Sequence, residues 1–533
     1  MRHAEKPRPL AEYLATFLVF GFAVFVLFYN LGGRYIEDWD EGIYIRVSQR
    51  ALETGDCLVM QFENHLLWDK TPFPLWPMIF SSKLFGFNET SARLSSALFG
   101  LGILMQIFLI ARRFYGPATA LLSVLVAITT TQFVFHHGLK TANIDSITIF
   151  FLLGAISSWV LIETERPRLV LTAASLACAF LCKGPLIGIP VVVILLSAIP
   201  RGKRPSITPK NLVLSVLLFI AIIAPWYLYM YVRFGDEFLE RHVVRVFFLW
   251  FAKGVDSHVH DDLHLIKTTL LSPHYFPWFG AAIISVVYFF KLYSEEKRQI
   301  DFILIAWVLI TLLVVNGSRT KLYWYVFPLY PMLAVMIAKT LSDFVRSSNY
   351  LNKAAFYLGL LIVLTHYFDQ RLFPGSAGFN FAKAGLAVLG IFSLATLCAR
   401  YVPRRQGVVN AILVCFLCYF PLKETYNQTL VKNLDAPILA LANRLEPGQR
   451  INTFQLYRPA ASYYLSRRFD LREFYGIEDV EQLRGGLVVV RSELEKKLPP
   501  KDDRGGFTVE IGGNSYRVTP LMTENEFTLF KVD

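Results

Sequence analysis

The sequence predicts an α-helical polytopic membrane protein of about thirteen transmembrane helices with a small C-terminal α/β domain outside the bilayer. Three observations predict it. Of the 533 residues 54% are hydrophobic and only 18% charged, and the mean hydropathy is +0.43, above the range of soluble globular chains. Uncharged apolar runs of about 20 residues recur from Phe17 to Leu422, each long enough to cross a ~30 Å hydrocarbon core. From about Asn433 the pattern changes to short alternating helical and extended segments. This composition excludes disorder, a collagen-like chain and a secreted disulfide scaffold.

The spans fall near residues 12–31, 92–112, 117–135, 144–162, 169–182, 185–200, 210–231, 275–290, 301–316, 323–342, 354–368, 382–399 and 408–422. The first run lacks a small-residue cleavage site and reads as a spanning helix, not a removable signal. With Arg2, Lys6 and Arg8 inside, the even-numbered helices return to Arg112-Arg113, Arg166 and Arg168, Arg201 with Lys203 and Arg204, Lys291 with Lys297 and Arg298, and Arg400 with Arg404 and Arg405. Every cytoplasmic turn is then basic, which accounts for the net charge of +12. No basic face with interleaved aromatics is present, so nucleic acid is not expected as a partner. The odd span count divides the chain into a membrane domain, 1–424, and a soluble domain, 425–533, in the bacterial periplasm or an equivalent lumen.

Two outer loops, 32–91 and 232–274, exceed connector length and are expected to carry function. In the first, Asp40 to Glu53 has the pattern of an interfacial amphipathic helix, with Ile43, Val47 and Ala51 on one face beside Tyr44. Pro72, Pro74 and Pro77 then introduce an apolar run, Leu75 to Phe85, too short to span and expected to lie along the membrane surface. Beyond Asn433 the order is helix, strand, helix, strand, followed by a buried strand at Gly486–Val490 and a hairpin turning at 512–515 between strands at 506–511 and 515–519. Cys178, Cys182, Cys398, Cys415 and Cys418 lie in apolar segments without metal-site spacing and read as packing residues. The chain has no phosphate-binding glycine motif, HExxH or nucleophile elbow.

Ionisable groups at the edge of apolar segments are costly, and in this chain they collect on the outer side. They are Asp40 and Glu41, Asp69 and Lys70, Lys140 and Asp145, Lys183, the set His258, His260, Asp261, Asp262 and His264, and Arg319 with Lys321. Carboxylates beside cations at an interface suit a substrate with a lipid-borne phosphate and a polar group to be moved. The cations hold the phosphate and offset its growing charge as it leaves, while a carboxylate orients or deprotonates an acceptor. Plainer roles exist for most of them. Asp38 with Glu41 resembles a capping box, Lys70 can snorkel, Lys183 before Gly184-Pro185 can mark a helix break, and the histidines can be polar decoration. Asp145, inside an apolar run, has the weakest structural excuse.

Asp40-Glu41-Gly-Ile-Tyr44 after the first helix, then Asp69-Lys70-Thr-Pro72, resembles the DE-x-x-Y and E-K-P-P signatures of the aminoarabinose lipid A transferases and related bacterial protein-mannosyltransferase-like enzymes, polytopic glycosyltransferases of the GT-C type. The similarity continues through Asn143-Ile-Asp145, Cys182-Lys183-Gly184-Pro185, Ala224-Pro225-Trp226, Phe276-Pro277-Trp278 and Lys321-Leu-Tyr-Trp-Tyr325, about residues 10–345. The resemblance implies a monomeric enzyme that moves a sugar from a polyprenyl-phosphate carrier to lipid A or another envelope acceptor outside the inner membrane. It implies that Asp40, with Glu41 beside it, is the acceptor-side carboxylate, and that Lys70 is a ligand of the carrier phosphate. Tyr44 and Tyr325 would contact that phosphate, Asp145 would be a second carboxylate, and Lys183 and Lys321 further substrate-binding cations. Nucleotide and flavin are not needed. Asp69, where the family has Glu, would join His260 in holding a divalent cation such as zinc, which the resemblance allows without demanding. Ile43 stands where the aminoarabinose enzymes have Arg, and Arg46 on the same helix is the candidate replacement. The alternatives are a related transferase of mannose or galacturonic acid to protein, polysaccharide or lipid, and, in a different class, a transporter or flippase.

Overall fold

In a computed structural model of the chain the structure describes residues 10–37, 39–62, 65–198, 207–249, 278–346, 436–456, 458–474, 482–495, 501, 505–511, 514–524 and 527–533. In chain order the elements are α1 (Leu10–Phe28), α2 (Asp40–Thr54), β1 (Gln61–Phe62), β2 (His65–Leu66), α3 (Trp76–Phe85), α4 (Glu89–Tyr115), α5 (Pro117–Thr129), α6 (Thr131–Phe135), α7 (Asp145–Leu161), α8 (Glu165–Lys183), α9 (Gly188–Leu196) and α10 (Pro209–Phe238). A π-helical segment, Leu239–Leu249, continues α10. Then come α11 (Phe279–Glu296), α12 (Gln299–Gly317), α13 (Leu329–Arg346), α14 (Ala436–Asn443), β3 (Arg450–Phe454), α15 (Pro459–Ser466), β4 (Asp470–Phe474), β5 (Leu487–Arg491), α16 (Ser492–Glu495), β6 (Phe507–Ile511), β7 (Asn514–Glu524) and β8 (Phe527–Val532). The chain forms two compact units.

The first unit takes Met1–Leu31, Trp68–Pro74 and Arg93–Gln428. Its helices match ten of the expected spans, and the three near 354–368, 382–399 and 408–422 lie outside the described residues. Among the described residues four helical stretches are long and apolar enough to cross a membrane: Glu89–Tyr115, Glu165–Leu196, Pro209–Phe248 and Gln299–Gly317. The second of these folds back on itself. Gly184, at φ +37°, ends α8 in a conformation that glycine tolerates and a side chain does not. Near the far end, Trp159 Nε1 of α7 donates to Ser197 Oγ just after α9, while Arg168 near the start of α8 lies over the same Trp159 ring. At the near end the last residue of α8 meets the first of α7, through Lys183 and Asp145. Thus α8 and α9 run in opposite directions beside α7, and the two short apolar segments form separate helices.

The interior is a continuous apolar core of α1, α4, α5, α7, α12 and α13, with Trp307 fully buried and its Nε1 donating to Pro328 O at 2.7 Å. By contrast α10 leaves Leu212, Val213, Val216, Leu217, Ile220 and Leu228 exposed, an apolar surface of the kind that suits lipid. The described part of the second outer loop, 232–249, begins at a break: Gly235, at φ +55° and ψ −133°, interrupts α10, and Trp226 and Tyr227 before it meet Phe238 and His242 after it, so the chain turns back there, close to the expected end of the span at residue 231.

The second unit takes Gly32–Leu67, Leu75–Ala92 and Thr429–Asp533. Its six-stranded sheet has the order β4-β3-β5-β8-β7-β6, with β3 parallel to β4 and β5 and the remaining neighbours antiparallel. The expected helix–strand–helix–strand order of 433–474, the buried strand after Gly486 and the hairpin pairing Ile511 with Asn514 are all present. The hairpin's second strand is longer than expected, reaching Glu524 past a bulge at Pro520/Met522, and pairs with a further strand, β8. The expected amphipathic helix is α2, and the proline-introduced run is α3, whose Trp76, Phe80 and Leu84, four residues apart, are exposed.

Candidate active site

The two ends of the first unit differ in chemistry. One gathers Arg112 paired to Glu12 at 2.8 Å, Arg113 paired to Glu163 at 2.6 Å, and Asp301, fully buried, accepting from Tyr115 Oη at 2.6 Å and Arg298 Nε at 2.9 Å. These contacts tie helix ends together. The other end gathers the ionisable residues of the sequence motifs.

There Asp145 is the first residue of α7, where a helix N-terminus favours a carboxylate, and it is 6% exposed. Lys183 Nζ donates to its Oδ1 at 2.6 Å. Two residues before Lys183, the carbonyl of Leu181 accepts from Thr71 Oγ1, which fixes the 68–74 segment against α8. In that segment Lys70 Nζ donates to Asp69 Oδ2 at 2.9 Å. Burial pushes the Asp69 carboxyl up, but the Lys70 ammonium, as charge and as donor, outweighs it and leaves Asp69 below the ordinary carboxylate range.

Two histidines brace this end. His242, 2% exposed, has Nδ1 at 2.5 Å from the carbonyl of Trp68 and Nε2 at 3.1 Å from Tyr227 Oη. A carbonyl only accepts, so the proton is inferred on Nδ1, and Nε2 accepts from the tyrosine in the neutral ring. His137 stacks on Trp324 at 3.8 Å between centroids and 8° between planes, and its Nδ1 accepts from Asn143 Nδ2 at 3.2 Å. Through that stack the Asn143–Asp145 and Lys321–Tyr325 motifs become neighbours. Lys321 is 3% exposed and Tyr325 packs against the core. Neither histidine was singled out from the sequence.

The remaining expected site residues lie in the second unit, on α2. Asp40 is its first residue, and Glu41, 1% exposed, accepts from the backbone N–H of Glu37 at 2.7 Å. The N-cap of α2 is Trp39, without a side-chain cap bond, so this is not the capping box that the Asp38–Glu41 spacing suggests but a carboxylate turned to the backbone two residues before the N-cap. Tyr44 is 6% exposed. Arg46, 2% exposed, contacts Glu473 at 3.5 Å and Glu53 at 3.4 Å. His260, like His258 and His264, lies outside the described residues.

Of the two residues expected to hold a cation, Asp69 is described and His260 lies outside the described residues. Among the described residues no three of His, Cys, Asp and Glu come together, Asp69 carries the Lys70 ammonium, and both nitrogens of the nearby His242 have partners. No step is therefore routed through a metal.

A family model described as dolichyl-phosphate-mannose-protein mannosyltransferase matches residues 69–229, the stretch from Asp69-Lys70 through Asp145 and Lys183 to α10. An uncharacterized protein of Aquifex aeolicus is 27% identical over 381 residues, 68% of this chain and 72% of its own length. The undecaprenyl phosphate-alpha-4-amino-4-deoxy-L-arabinose arabinosyl transferase of Aeromonas salmonicida is 25% identical over 443 residues, 78% of this chain and 74% of its own length. In fold, the chain is similar to ArnT from Cupriavidus metallidurans, with a TM-score of 0.75 and 18% identity in the apo state and 0.74 and 16% with undecaprenyl phosphate bound, each covering 98% of both chains. The chain thus shares the polytopic fold of ArnT over nearly its whole length, and its sequence is similar to an aminoarabinosyl transferase over three quarters of that enzyme.

Proposed function

We propose that the protein transfers a sugar from an undecaprenyl-phosphate-type carrier to lipid A or another envelope acceptor at the periplasmic face of the bacterial inner membrane, acting as a monomer. The observation that carries the reading is the pairing of Lys70 with Asp69 and Lys183 with Asp145 at one end of the membrane unit, joined by the Thr71–Leu181 hydrogen bond. Each ammonium is largely buried, at 14% and 18% exposure, where a cation acts more strongly on a phosphate than in water. As the sugar–phosphate bond breaks, negative charge grows on the departing carrier phosphate. Lys70 offsets it, with Lys183, Lys321 and the hydroxyl of Tyr325 as further contacts. Asp145 holds Lys183 in place.

Asp40 serves the acceptor. A hydroxyl acceptor needs a base, which Asp40 provides. A lipid phosphate is already anionic, and Asp40 then orients it or pairs with an amino group on the sugar. Glu41, with its carboxylate on the Glu37 amide, sets the helix start that presents Asp40. One observation favours a second donor: Ile43 replaces the arginine of the aminoarabinose enzymes, and Arg46 already faces two carboxylates. Mannose or galacturonic acid on the same carrier is that second reading. The test is purified protein in liposomes without an ion gradient, given each carrier-linked sugar in turn with lipid A, and mass spectrometry of the lipids. A mass increment for one sugar supports the reading. No transfer from any of them, or translocation without a new bond, rejects it and favours a transporter.

A further inference from the structure

The segment that leads into α2 is held by the C-terminal domain, entirely within the second unit. The buried N–H of Ile36 donates to Tyr464 Oη at 3.0 Å, and the ring of Tyr35 meets Tyr464 edge-on at 5.9 Å. Gly42 lies so close to α15 that a Cβ there would come within 2.7 Å of the Ala460 nitrogen and 3.1 Å of Pro459. One turn later Arg46 meets Glu473 of β4, both side chains 2% exposed, and Gln49 accepts from Ser466 Oγ at 3.1 Å. Positions 42, 46 and 49 lie on one helix face, so that face is occupied by residues 459–473.

The start of α2 is itself strained. Trp39 precedes Asp40 at φ +66°, a conformation that a bulky residue keeps only where its surroundings over-determine it. A buried ion pair such as Arg46–Glu473 adds little net stability over an apolar pair of the same shape, and its best-attested use is to fix register.

We propose that Arg46, Glu473 and Tyr464 are positioning residues through which the C-terminal domain fixes the start of α2, and with it the Asp40 carboxylate. The proposal rests on the reading of Asp40 as the acceptor-side carboxylate. It makes Arg46 a tether and not a ligand of the carrier phosphate, so its loss acts on turnover and not on donor affinity.

The experiment is steady-state kinetics of the full-length protein carrying Glu473→Gln, Arg46→Gln, their double, Tyr464→Phe or Asp40→Asn, with thermal stability measured for each. Glu473→Gln and Arg46→Gln are each expected to lower kcat by about 10–100-fold, the usual effect of displacing a reacting group by around an ångström, with the donor KM within about twofold of wild type. The double is expected to be little worse than either single, because both break one tether. Tyr464→Phe, which loses only a hydroxyl and folds even if the charge variants do not, is expected to lower kcat by about 3–10-fold. A donor KM raised tenfold by Arg46→Gln alone overturns the proposal in favour of a phosphate contact. Wild-type kcat in Tyr464→Phe overturns it as well. Asp40→Asn separates the two levels: full activity there sinks the reading of Asp40 itself, whereas its loss beside a normal Tyr464→Phe and Glu473→Gln sinks only the tether.

Discussion

Replacing Lys183 by Met, alone and together with Asp145→Asn, separates a structural ion pair from a phosphate-binding cation. The two groups are 2.6 Å apart, with side chains 18% and 9% exposed. At an effective dielectric constant near 20 their attraction is about 6 kcal/mol, most of it offset by desolvation. Removing one partner of a fully buried pair costs about 3–5 kcal/mol, and the partial exposure of Lys183 reduces this to about 2–3 kcal/mol. Lys183→Met should therefore lower the unfolding temperature clearly, because it strands the Asp145 carboxylate. The double Lys183→Met/Asp145→Asn should recover most of that loss, since it leaves no buried charge. Transfer should not recover: loss of a preorganised cation beside a leaving phosphate lowers turnover by about 10²–10³-fold, and the double should stay there. The assay pairs thermal unfolding in detergent with initial rates of lipid modification. A double variant with both wild-type stability and wild-type turnover would refute a role for Lys183 in holding the carrier.

Lys70→Ala should reduce transfer by a similar factor while expression and thermal stability stay near wild type, and unchanged turnover would return Lys70 to a snorkelling side chain. Asp40→Asn keeps the size and helix-starting ability of the residue, so a fall of about 10²–10⁴-fold at matched stability would mark its charge as chemical, and near-normal rates would remove it from the mechanism. The folded carboxyl of Asp69 lies below its unfolded value, so its contribution to stability is present above the ordinary carboxylate range and is lost only as pH falls through the lowered value. An acid limb of the rate profile above pH ~4 thus comes from another group, and Asp69→Asn should leave that limb in place; a shift of the limb would contradict the pairing with Lys70. An alkaline phosphatase fused after Asp533 should be active, as the basic inner turns require, and a silent fusion would reverse the proposed side of the chemistry.

Much of the membrane unit was legible because its signals are local. A 20-residue apolar run, a basic turn or a proline after Lys183-Gly184 is complete within one window of sequence, and bilayer insertion depends on such windows more than on distant contacts. The reversal at Gly184 was readable for that reason, and so was the end of α10 near residue 231, where Gly235 breaks the helix. The order of the polar motifs also came from the sequence, from Asp69-Lys70 through Asp145 and Lys183 to Lys321–Tyr325. Which of them pair did not. Lys183 and Asp145 are 38 residues apart, and Thr71 meets a carbonyl 110 residues away. Arg46 shows the limit best: its place three residues after Ile43 suggests a replacement phosphate ligand, yet its guanidinium contacts Glu473, 427 residues later. A helical residue's neighbours three and four positions away follow from helix geometry, but its partner across a packed face is chosen by the fold, because only the assembled chain brings a carboxylate to a buried guanidinium that would otherwise be too costly to desolvate.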